Sequence, residues 1–212
     1  MIQRERFEDL DLFKIQPGRL GWYFGKVYAY GLDGVLINSG PRSEANRFLE
    51  LLRPKRPDLI VNSCSQAELC GANGVIQQAF SIPAFAHKRA LGKIRYPEEQ
   101  SLKQRWIWGP AAPSKVRRVG QTLASGESLF VIQETEGFAP GHICLFEKKR
   151  GWLFTGDLLS GQPPADEAAF ATDLSRLLKL DPTLVFCARN GVKERPAEII
   201  AARLHALDTG QE

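Results

Sequence analysis

A chain of 212 residues, 43% hydrophobic and 25% charged, with a formal net charge of +4, is long enough for a sizeable core and has the composition of an ordinary globular protein. No apolar run approaches the roughly 18 residues that a membrane span needs, and the segment from Met1 to Asp11 mixes both charges without an apolar h-region, which argues against a secretory signal. The expectation is a cytoplasmic protein with no membrane contact, folded as a single domain over residues 1–212.

In chain order, residues 21–31 mix aromatic and small side chains, from Trp22 to Tyr30, and predict a strand. Leu32-Asp-Gly34 is a turn signal, Val35-Leu-Ile37 returns as a second strand, and Asn38-Ser-Gly-Pro41 breaks it. Ser43 is placed to cap a helix that carries Phe48, Leu49, Leu51 and Leu52 at helical spacing. Pro54 and Pro57 end that helix.

Leu59-Ile-Val61 then opens the stretch around which the chain is organised. It is a short β-branched run, followed by a polar break at Asn62-Ser-Cys-Ser65 and a helix predicted to reach about Phe80. A strand that ends in a polar turn and enters a helix displays side chains at the carboxyl edge of a sheet. A second apolar run follows at residues 82–87.

The charge excess lies in residues 88–118. There Lys88, Arg89, Lys93, Arg95, Lys103, Arg105, Lys115, Arg117 and Arg118 face only Glu98 and Glu99, with Trp106 and Trp108 interleaved. Two readings stand: a surface for a polyanion, or a solvated face over two aromatics. Pro97, Pro110 and Pro113 keep the segment from being one long element.

Strands are predicted at 116–119 and 128–133, followed by a loop at 136–141. A hairpin of 142–146 and 152–155 comes next. Asp166 begins a helix with Phe170, Leu174, Leu177, Leu178 and Leu180 on one face. A short strand at 184–186 follows, and Pro196 sits in the first turn of a last helix reaching about Leu207. Cys64, Cys70, Cys144 and Cys187 are scattered without a Cys-x-x-Cys pair, so they read as reduced, buried thiols. This order suits two packed sheets with helices outside.

Five segments then resemble the landmarks of the metallo-β-lactamase fold hydrolases, in the family's order and over almost the whole chain. Leu36-Ile-Asn-Ser-Gly-Pro41 is similar to its Ile-Asp-Thr-Gly turn. Ser63-Cys-Ser-Gln-Ala-Glu-Leu-Cys-Gly71 resembles its Thr-His-x-His-x-Asp-His run. Thr135-Glu-Gly-Phe-Ala-Pro-Gly-His142 resembles its Pro-Gly-His-Thr-x-Gly loop, and Leu153-Phe-Thr-Gly-Asp157 nearly copies its Phe-Thr-Gly-Asp strand end. Cys187-Ala-Arg-Asn-Gly191 stands where its late Gly-His-Gly belongs.

The resemblance implies an α/β fold, a four-layer αββα sandwich. It also implies a dinuclear metal site, and there this chain departs from the pattern. The first metal's histidines fall on Cys64, Gln66 and Phe138. The second metal's ligands fall on Glu68, Leu69 and Asn190, the last shifting by one to Arg189 in an alternative alignment. The bridging aspartate falls on Asp157 and the supporting first-loop aspartate on Asn38.

No ligand histidine remains. His87 lies at a strand end, His142 matches a non-ligating histidine of the third loop, and His205 lies on the last helix as a surface residue. Asp157 is expected to hydrogen-bond nearby backbone amides or a loop. No cofactor is expected, and the implied function is a pseudoenzyme with a binding or scaffold role toward a small molecule or a protein. The alternative is a divergent hydrolase, using either one divalent metal on Glu68, Asp157 and Asn190 or Cys64 as nucleophile. A polyanion on the basic stretch is a further expected partner.

Overall fold

The computed structural model describes residues 1–18 and 25–209. The N-terminal half supplies strands β1 (Ile2–Phe7), β2 (Leu10–Ile15), β3 (Val27–Leu32), β4 (Val35–Ile37), β5 (Leu59–Val61), β6 (Ala84–Ala86) and β7 (Val116–Arg118). They lie side by side in chain order. β1 to β4 pair antiparallel and β4 to β7 pair parallel. The second sheet is made of β8 (Thr122–Ser125), β9 (Ser128–Glu134), β10 (Ile143–Glu147), β11 (Trp152–Gly156), β12 (Leu184–Cys187) and β13 (Gly191–Lys193), with spatial order β13-β12-β11-β10-β9-β8.

Helices α1 (Ala45–Leu52), α2 (Ala67–Cys70), α3 (Asn73–Phe80), α4 (Leu91–Arg95) and α5 (Leu102–Trp108) cover the outer face of the first sheet. α6 (Glu167–Leu178) and α7 (Pro196–Thr209) cover the second. The result is the expected αββα sandwich.

Alternation along each strand builds this layering, because successive side chains point to opposite faces. Leu36 and Ile60 pack under the helices of the first sheet, whereas Ile37 and Val61 point between the sheets. Leu145, Phe154 and Phe186 also enter the inter-sheet core, while Cys144, Leu153 and Val185 face α6 and α7. Tyr30 fastens the two sheets together. It is buried against Phe154 and Phe186, and its hydroxyl donates to the Cys187 carbonyl at 2.6 Å.

Several sequence expectations change. The strand expected over 21–31 starts at Val27, and residues 21–24 lie outside the described residues. Ser43 does not cap α1. It lies in a 3-10 turn, Arg42–Glu44, and its hydroxyl donates instead to the Ile107 carbonyl at 3.2 Å. The helix expected to reach Phe80 is two helices, because the Ala72 amide leaves the helical ladder and donates to the Gly40 carbonyl.

The unassigned basic segment holds α4 and α5, the latter opened by a Ser101–Gln104 capping box. β1, β8 and β13 went unrecognised. They are edge strands, β8 and β13 with only four and three residues, and in β1 the exposed polar and charged side chains from Gln3 to Arg6 hide the alternation. β2 was missed as well. Asp166 does cap α6, accepting from the Ala169 amide at 3.0 Å.

Candidate functional site

Parallel strands β4, β5 and β6 end at the same rim as β11 and β12, and the five landmark segments meet there. Asn38 turns out of β4 with φ +61°. Its side-chain oxygen accepts from the Ser63 amide at 2.9 Å and the Ser63 hydroxyl at 3.1 Å. Asn38 thus braces the start of the loop after β5, a role open to an uncharged amide. Gly156, at the end of β11, has φ +54°. A Cβ there would come within 2.6 Å of Ser63 Oγ and 2.8 Å of His142 Nε2, so the strand end can close on the loop only without a side chain.

Asp157 follows, fully buried. Of the two partners expected of it, backbone amides or a loop, it takes the loop: its partner is the Arg189 side chain in the turn after β12. Arg189 donates from Nε to Asp157 Oδ1 at 3.2 Å and from Nη2 to Oδ2 at 3.3 Å. The same Nη2 donates to Glu68 Oε1 on α2 at 2.7 Å. The guanidinium carbon lies 6.0 Å from the Trp108 ring centre, in cation–π contact. One planar cation therefore joins two carboxylates from opposite sheets against an aromatic wall, and no local backbone geometry would have brought it there.

Burial pushes the Asp157 carboxyl up, and Arg189 offsets this only in part, so the net direction is upward. Burial opposes the charge on Arg189, but Asp157 and Glu68 outweigh it and raise its affinity for its proton. Two carboxylates on one guanidinium leave the cluster with a net charge of −1 when all three are ionised. Cys64 sits beside it, buried, with its thiol pushed well up by burial and by Asp157. Its Sγ lies 3.7 Å from Gln66 Oε1.

The other expected positions do not join the cluster. Leu69 and Phe138 are core residues. Phe138 packs edge-on against His142, with ring centres 5.0 Å apart. Asn190 turns outward and donates to the Leu159 carbonyl at 3.2 Å. His142 is buried against Thr135 Oγ1 at 2.7 Å, and its Nε2 has no partner among the described residues. Burial pushes its pKa down to about 3.

His87 is satisfied elsewhere on the rim. The Arg89 amide donates to Nδ1, so Nε2 carries the proton and donates to Glu134 Oε1 at 3.1 Å. His205 is exposed, as expected, and all four cysteines are buried and free.

Sequence reasoning missed the pairing of Arg189 and the part played by Trp108. A signal was present: two carboxylates, Asp157 at a strand end and Glu68 on α2, left without imidazoles require a cation, and Arg189 is the cation of the fifth segment.

Beside Glu68 opens a cavity of about 270 Å³, bounded by Gln66, Lys93, Gln100, Gln104 and Trp108 among others. An αββα sandwich with a strand-end site at one rim is the architecture of the metal-dependent hydrolases that the sequence resembles. A family model described as the metallo-beta-lactamase superfamily matches residues 22–189, and the chain belongs to that superfamily.

Among known proteins, a hydroxyacylglutathione hydrolase of Bdellovibrio bacteriovorus is 25% identical over 158 residues, 71% of this chain. The chain spans only 57% of the length of that curated relative. A metallo-beta-lactamase family protein of Thermus thermophilus superposes with a TM-score of 0.73 at 17% identity, covering 96% of this chain and 80% of its own. A metallo-beta-lactamase from Pontibacter korlensis does so with a TM-score of 0.74 at 13% identity, covering 98% and 99%. These two likenesses establish the shared fold.

Proposed function

We propose that this protein uses the metallo-β-lactamase fold to bind a ligand rather than to run a metal-dependent hydrolysis, and that Arg189 stands where the superfamily's ions would sit. The observation that carries this reading is the guanidinium on Asp157 and Glu68.

The donor set does not fit a metal pair. Phe138 and Leu69 offer no donor atom, Gln66 is a weak one, and Asn190 spends its amide on Leu159. Cys64 would ligate as a thiolate, which its burial opposes. Only Asp157 and Glu68 offer carboxylates, and both already accept from Arg189, which stands between them. A divalent ion could take those carboxylates only by displacing the guanidinium, which would repel it by on the order of 8 kcal/mol at about 4 Å and an effective dielectric near 20. The same geometry weighs against one ion on Glu68, Asp157 and Asn190. The raised thiol weighs against Cys64 as a nucleophile.

What remains for the site is recognition. The cavity beside Glu68 suits a small polar molecule or the end of a chain, held by carboxamides and the edge of Trp108.

Elemental analysis of protein purified from metal-replete medium tests this, together with hydrolysis of a hydroxyacylglutathione. No stoichiometric metal and no turnover are expected. Two transition metals per chain, or turnover abolished by a chelator, would sink the proposal.

A further inference from the structure

The basic stretch of residues 88–118 is not one charged face. Arg89 is taken by Glu136 at 3.3 Å and Lys93 by Glu98 at 3.4 Å. Arg95 folds back on the edge of the first sheet, donating from Nε and Nη2 to the Val116 carbonyl at 3.1 and 2.7 Å. It leaves Nη1 unused.

Arg95, Lys115 and Arg117 then converge on a groove of about 810 Å³ at the N-terminal ends of β6 and β7. The Arg189 cluster lies at the C-terminal ends of the parallel strands, so the two sites are on opposite rims. No aspartate or glutamate lines the groove. None of its three cations is paired with a carboxylate among the described residues.

Two more features point inward. Ser114, 8% exposed, lines the groove, and its hydroxyl oxygen accepts from Asn73 Nδ2 at 3.5 Å. Tyr96 stands on the rim 80% exposed, with no ring contact among the described residues. A large aromatic held in solvent beside three cations and a buried hydroxyl forms a site for a group that is anionic at one end and flat at the other.

We propose that this groove binds a phosphate carrying a nucleobase, either as a free mononucleotide or as one unit of a single strand. Lys115, Arg117 and the free edge of Arg95 take the phosphate, Ser114 donates to it, and Tyr96 stacks on the base. The volume is that of a nucleotide-sized ligand.

The full chain is titrated with AMP, with inorganic phosphate and with a fluorescent oligothymidylate of about ten nucleotides. Binding of the strand is expected to weaken about 3-fold between roughly 50 and 200 mM salt, the dependence of the one phosphate that the groove holds on a single-stranded nucleic acid. Lys115→Glu with Arg117→Glu, both exposed, is expected to cut affinity for every probe more than tenfold, with folding verified by circular dichroism. Tyr96→Ala is expected to weaken AMP and the strand while leaving inorganic phosphate unchanged. Glu68→Gln, on the opposite rim, is expected to change nothing.

Tighter binding of AMP than of the strand assigns a free nucleotide, and the reverse assigns a single strand. Either result upholds the groove. Failure of all three probes to bind at low salt overturns it, as does binding untouched by the double reversal or a phosphate site that gains nothing from the base. Loss of binding in Glu68→Gln would move the ligand to the other rim.

Discussion

Asp157 and Glu68 share one guanidinium, and that imbalance sets what each substitution does. Arg189→Ala leaves a fully buried carboxylate and a neighbour of like charge without a cation. The expected loss is about 3–5 kcal/mol of stability, read by urea denaturation. Adding Asp157→Asn removes the stranded charge and is expected to restore much of it. A single variant as stable as the parent would remove the ion cluster from the account.

His142 makes a separate prediction. Its imidazole stays neutral in the fold down to a pKa of about 3, whereas an unfolded histidine takes its proton near pH 6.5. The folded pKa is depressed, so its contribution is full above about pH 6.5 and is lost as pH falls toward about 3. The slope is at most about 1.4 kcal/mol per pH unit. His142→Gln is expected to lose that slope, seen as a gap between the two urea midpoints that changes across this window. A gap that stays constant with pH would contradict it.

At the scale of elements, the site depends on how closely strand ends approach the loops beside them. β11 ends on Gly156 with a left-handed backbone, and its Cα faces Ser63 and His142 with no room for a methyl group. Gly156→Ala is therefore expected to cost about 2–4 kcal/mol, combining backbone strain and overpacking. Its melting temperature relative to the parent measures this. The same closeness explains why the Leu153-Phe-Thr-Gly-Asp157 segment keeps its family form while the ligand positions around it do not. Packing geometry constrains glycine and the strand, whereas the charge of the cluster needs only a cation of some kind.

For the whole molecule, the two sheets are joined by an apolar layer and by polar links around it. Tyr30 is one, donating across the interface to Cys187. Arg150 is another, reaching Asp9, Asp33 and the buried Glu147 from the β10–β11 turn. Tyr30→Phe keeps the ring packing and strands the Cys187 carbonyl. The expected loss is about 1–2 kcal/mol with the fold intact, and a thermal melt showing no change would mean that the carbonyl finds another donor.

The central strands were legible in the chain itself. Val35-Leu-Ile37, Leu59-Ile-Val61 and Leu184-Val-Phe186 are short apolar runs bounded by breakers, and the order of the five landmark segments set the layering. Edge strands such as Ile2–Phe7 were not legible, because their polar faces carry no such pattern. The same distinction holds at the site. The loss of imidazoles at Cys64, Gln66 and Phe138 could be read from residue identity alone.

That Arg189 bridges Asp157 and Glu68, 32 and 121 residues away, was decided only by the packing of the two sheets. So was the splitting of one basic stretch into side chains tied down by Glu136 and Glu98 and others gathered at a groove. Periodicity along a chain reports the geometry of its backbone. An ion pair between distant segments reports where folding has placed them.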